Sequence, residues 1–191
     1  MNRTILTIMA TLTTTPTFAH LNPDDHGSFM AGLSHPVFGP DHILAMIAVG
    51  LWAASLGGRA IWALPSAFVA AMVVGFGAAV GGLILPLVEP IILLSVFALG
   101  LTVAFTIRLP ATAAAGIVAA FGLFHGFAHG GELGSAGAFA FGAGFVLSAA
   151  ILHAFGISTA VITGHNLSNS KLIRGLGWAT AFGGVWIATG G

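Results

Sequence analysis

The sequence predicts an all-α, polytopic membrane protein: a bundle of six transmembrane helices that follows a cleaved signal peptide. Three observations carry that prediction. Of 191 residues, 57% are hydrophobic and only 5% are charged, whereas a soluble domain carries about 25% charged residues. Apolar segments at approximately 40–57, 60–83, 88–107, 111–130, 137–162 and 171–189 follow one another with only short polar or Pro/Gly breaks. Each is near the ~20 residues that cover a bilayer core, the first somewhat short. Open strands would leave backbone groups unpaired in lipid, so the spans are read as helices.

The elements follow in order. Residues 1–19 open with "MNR", continue with the modest apolar run "TILTIMATLTTT" and end in "PTFA". A positive start, an apolar stretch and a small-residue end form a secretory signal peptide, cut after Ala19; the rival reading is a retained amphiphilic segment. The remainder, 20–191, is expected to be one transmembrane domain, with His20 outside a bacterial plasma membrane. The loops near residues 58, 109 and 167 then face the cytoplasm, and they contain or border Arg59, Arg108, Lys171 and Arg174. Asp24, Asp25, Glu89 and Glu132 fall on the other side. The positive-inside rule agrees, and both mature termini are expected to be periplasmic. Among the 28 glycines, Gly122, Gly126 and Gly130 form a small-xxx-small repeat that suits close helix packing. Trp52, Trp62 and the Arg108-Leu109-Pro110 turn read as anchors at the membrane interface. Three spans on each side of a midpoint would allow an inverted repeat, but the two halves show no convincing match.

Five basic residues balance five acidic ones, so no basic surface for nucleic acid is present. Cysteine is absent, which removes disulfides and thiolate metal sites. Histidine is the exception to a general avoidance of polarity, with eight copies. In "GLSHPVFGPDHILAMIAVGLWAA", His35, Asp41 and His42 stand at the mouth of a span. Pro36 is expected to push His35 out of helical geometry, and Gly39-Pro40 to break the chain again before a helix starts near Asp41. Asp41 suits a first-turn or N-cap carboxylate, yet neither histidine is needed for a cap.

The second constellation is "FGLFHGFAHGGE". At about 100° per residue, His129 lies about 40° from His125 and Glu132 about 20° on its other side. Two histidines at i and i+4 with a carboxylate one turn on is metal-ligand spacing; a hydrogen-bonded His pair that braces helix contacts is the plainer alternative. By topology the two constellations and Glu89 meet near one depth, on the periplasmic side. Ionisable groups inside a membrane usually mark a substrate or ion path. Imidazoles and carboxylates without thiolates suit Ni(II), Co(II) or Zn(II) better than Cu(I). His153 in "LSAAILHAFG" lies deeper, as a relay ligand or a packing hydrogen-bonder, and His165 reads as a loop residue. Met46 reads as core filler. Cleavage after Ala19 would put an α-amine and an imidazole together on His20, with Asp24, Asp25 and His26 following, either as a capture site or as an ordinary solvated terminus.

"HPVFGPDHILAMIAVGLWA" closely resembles the signature of the HupE/UreJ family of nickel permeases, associated with hydrogenase and urease gene clusters. "FHGFAHGGE" and "LHAFG" resemble that family's later motifs, in the same order, and the resemblance covers essentially the whole chain. The first motif is also similar to the His–x4–Asp–His motif of larger nickel/cobalt transporters, with one more residue in the spacing. The resemblance implies a transmembrane metal-permease domain over 20–191 with no permanent cofactor, taking up Ni(2+) or Co(2+) as transported substrate. The supply of hydrogenase or urease maturation follows from it. By motif match it implies metal handling by His35, Asp41, His42, His125, His129 and Glu132, with His153 on the weaker third motif. Glu89 joins them from topology, at an acidic position associated with the family. Two other functions remain open at this point: an intramembrane zinc-dependent hydrolase with Asp41 or Glu132 as base, and a metal-binding assembly protein that does not transport.

Overall fold

A computed structural model of the chain describes residues 28–133, 137–163 and 171–190. The signal segment lies outside the described residues, as do His20, His26 and His165. Every regular element among the described residues is a helix: α1 (Phe29–Phe38), α2 (Pro40–Leu56), α3 (Ala60–Val80), α4 (Val88–Ala104), α5 (Ala111–Leu133), α6 (Ala138–Ile162) and α7 (Lys171–Ala188).

The exterior of this bundle is apolar. Trp62, Val74, Phe155, Ile162, Phe182 and Trp186 are all exposed, while His42, His125, His129, His153, Ser95 and Ser148 are buried. That inversion suits lipid, which solvates side chains such as Phe and Leu but offers nothing to a polar group. Three helices are long and apolar enough to span: α3, α5 over Ala111–Gly130, and α6. The pair α1–α2, bent by 85° at Gly39, passes the same test as one broken span. The chain is therefore a multi-pass membrane protein. Of the six expected spans, the one at α4 is short: it has 17 residues, about 25 Å against a core of about 30 Å. α7 has 18 residues and carries Lys171 and Arg174 in its first turn.

α1 corrects the expectation at Pro36. His35 and Pro36 both lie inside this ten-residue helix, which Ser28 starts by accepting the Ala31 N–H at 3.0 Å. Pro36 leaves the Gly32 carbonyl without its helical donor, and the helix stops two residues later. The break falls at Gly39, in extended geometry, and Pro40 opens α2 at its first position, where a missing N–H costs nothing.

Close backbone approach holds the helices together. A Cβ on Gly122, Gly126 or Gly130 would collide with the carbonyl of Phe68, Met72 or Phe76 on α3, so the small-residue repeat is the α3–α5 seam. α1 and α2 both pack on α6, and α4 packs on α7. Two hydrogen bonds gather one end of the bundle. Trp52 Nε1 donates to Ile107 O at 2.9 Å, and Arg174 Nε donates to Ala104 O at 3.0 Å. Trp52 is thus no interface anchor. It is fully buried, because the turn after α4, with Thr106 at φ 51°, lays the Ile107 carbonyl over its indole. Trp62 does face outward, as expected of an anchor, and Met46 is wholly buried, as expected of core filler.

Candidate functional site

At the opposite end of the bundle α1, α2 and α5 bring four imidazoles into ring-to-ring contact. His35 lies 4.4 Å from His129, His129 lies 4.6 Å from His42, and His42 lies 4.7 Å from His125, centroid to centroid. His42, His125 and His129 are buried and His35 half-buried. His125 and His129 share a face of α5 one turn apart, as their i, i+4 spacing requires. His42 reaches them from the first turn of α2, and His35 from the last turn of α1.

The hydrogen bonds fix which nitrogen each ring offers. Asp41 Oδ1 lies 2.9 Å from the His42 backbone N and 2.8 Å from His42 Nδ1. An ionised carboxylate only accepts, so His42 donates Nδ1–H and keeps a lone pair on Nε2. His129 Nε2 lies 2.6 Å from His42 Nε2 and donates to that lone pair. His129 Nδ1, buried and without a hydrogen-bond partner, then holds the lone pair at the end of the chain. Asp41 is therefore both a first-turn acceptor and the group that orients His42. This is the carboxylate–histidine pairing that in metal sites fixes the ring and raises its basicity. Gly39 leaves room for it, since a Cβ there would sit 3.0 Å from both Asp41 Oδ1 and His42 Nδ1.

As the side chains stand, no group of three or more His, Asp or Glu among the described residues is arranged to hold one metal ion. Two nitrogens bound to one tetrahedral ion stand about 3.3 Å apart, and the His42–His129 pair is drawn closer than that by its shared proton. To accept an ion between them the two rings would have to part by less than ~1 Å, and the proton on His129 Nε2 would have to leave that atom to free its lone pair.

Of the other expected residues, Glu89 and His153 sit apart from the four imidazoles. Glu89 is exposed in the first turn of α4, at the same end of the bundle but outside the cluster. Glu132 lies in the last turn of α5, and its side chain is outside the described residues. His153 is buried in the middle of α6 with neither ring nitrogen partnered. The Phe68 ring separates it from the cluster, 5.4 Å from His125 and 5.1 Å from His153.

Sequence reading missed the residues that pack and pin this cluster. Phe145 stacks edge-on against His129 at 4.8 Å, and Phe141 lies 5.5 Å from His35. Ser95 of α4 lies 2.9 Å from His125 Nε2. One hydroxyl in the apolar run "PIILLSVFALG" is a faint signal, because serine satisfies itself on its own helix backbone. The phenylalanines carry no signal among 15.

The family described as HupE / UreJ protein matches residues 8–187. Protein HupE of Rhizobium leguminosarum bv. viciae is 42% identical to this chain over 177 residues, which is 92% of each protein. No solved structure matches the chain. With both histidine segments inside the matched region, the chain belongs to the HupE/UreJ family.

Proposed function

We propose that this protein takes up a divalent transition-metal ion, nickel first and cobalt as the alternative cargo, across the bacterial plasma membrane. The ion would pass through the cluster of His35, His42, His125 and His129 and serve hydrogenase or urease maturation. One observation carries the reading: four imidazoles from three helices pack together inside an otherwise apolar bundle, with buried nitrogens on His125 and His129 left without a partner. Buried polar groups without partners are costly, and ionisable groups in membranes mark ion paths. Neutral imidazoles suit nickel, cobalt or zinc, and family membership favours transport over hydrolysis. Glu89 and Glu132 add carboxylates at the cluster's end of the bundle, where an arriving cation is first attracted.

The charge distribution supports an orientation. Arg59, Arg108, Lys171 and Arg174 all lie at the end gathered by Trp52 and Arg174, so that end faces the cytoplasm by the positive-inside rule. The imidazole cluster then faces the periplasm, as do both mature termini. Purified protein in liposomes tests the function. Nickel flux is expected in the wild type, inhibited by cobalt and reduced at least tenfold in H129A. Absence of flux in folded wild-type protein would reject the permease.

A further inference from the structure

We infer that Ser95 is a positioning residue for the ion: it holds His125 in the Nε2–H form and so assigns Nδ1 as the atom His125 offers to a metal. The inference rests on the transport reading above and adds a partner from α4, a helix whose only expected contributor was Glu89. Ser95 Oγ lies 2.6 Å from Ile92 O and 2.9 Å from His125 Nε2. A carbonyl cannot donate, so the one hydroxyl proton goes to Ile92 O and His125 must donate to Ser95. Neutral imidazole carries a single N–H, which leaves the lone pair on Nδ1. That atom is buried and has no partner. Both residues are completely buried, so no water stands ready to satisfy the opposite tautomer.

The two central rings therefore present different atoms. His42, with Nδ1 tied to Asp41, offers Nε2, whereas His125, with Nε2 tied to Ser95, offers Nδ1. Their supports also differ in strength. A carboxylate makes its imidazole a stronger donor to metal than a neutral hydroxyl does, so His125 is the weaker ligand. A conducting site must hold an ion well enough to admit it and loosely enough to release it. Pairing a strong and a weak imidazole meets that requirement.

The test uses full-length protein in detergent with isotope-labelled histidine. Nitrogen and carbon chemical shifts of the imidazoles report each tautomer without any metal, and the His125 signals are assigned by their loss in H125N. His125 is expected as Nε2–H in the wild type and in S95T, since threonine keeps the hydroxyl and the same bond to its own helix backbone. S95A is expected to lose that preference and to bind nickel about tenfold more weakly by calorimetric titration, with S95T near wild type. A wild-type His125 found as Nδ1–H overturns the inference without needing any variant to fold. S95A that binds nickel as tightly as wild type also overturns it, and leaves the transport reading intact. Wild-type protein that binds no nickel overturns the transport reading and this inference with it.

Discussion

Asp41 places two hydrogen bonds on one oxygen, since both the His42 backbone N–H and His42 Nδ1 point at Oδ1. Asparagine keeps an oxygen at that position and caps as well as aspartate. Asp41→Asn is therefore expected to leave the melting temperature within a few degrees of wild type. Its nickel uptake should nevertheless fall at least tenfold at scarce metal, because the neutral amide no longer strengthens His42 as a donor. A concentration series of uptake beside a thermal melt separates the two effects, and unchanged uptake would reduce Asp41 to a helix-start residue. At this scale the sequence was most legible where chemistry is rare. Histidine and aspartate at the edge of an apolar run need a reason, and His35, Asp41, His42, His125 and His129 all lie in the cluster. Ser95, Phe68 and Phe145 were hidden because serine and phenylalanine are ordinary in such a helix.

The α3–α5 pair is the element whose packing the sequence spelled out, through Gly122, Gly126 and Gly130. His125 and His129 lie beside these glycines on the same helix, so the spacing of the seam also sets how far the imidazoles reach. Gly126→Ala would drive a methyl group into the Met72 carbonyl and is expected to destabilise the bundle by about 1–3 kcal/mol. Gly116→Ala is the control, because nothing lies within 4 Å of the added carbon. Melting temperature in detergent should drop for the first and hold for the second; equal behaviour would remove the seam from the energetics. α1 was the element that escaped sequence reading. Ten residues holding a proline look like a loop, and only the seat of Gly32 and Gly144 against neighbouring backbone makes that stretch a packed helix. The short α4 escaped for a related reason, since hydropathy continues past Ala104 while the helix does not.

For the whole molecule, the basic end and the histidine end are opposite, and labelling distinguishes their sides of the membrane. The native chain has no cysteine, so one introduced thiol reports alone. Leu83→Cys, in an exposed position after α3, is expected to react with an impermeant reagent in intact cells, while Gly58→Cys, before α3, should be protected. The reverse pattern would invert the orientation. Hydropathy was readable from composition because it is a sum over many residues. The contact among four imidazoles depends on helix angles, among them the 85° bend. That bend has a mechanical meaning. His35 rides on α1, which is seated on α6, and His42 rides on α2, with Gly39 as the single residue between the two helices. Turning the two dihedrals of Gly39 moves one imidazole against the other and leaves the Ile43 N to Gly39 O bond that opens α2 in place. The cluster thus joins two segments that meet at one residue, and the angle held at Gly39 sets how far His35 stands from His42.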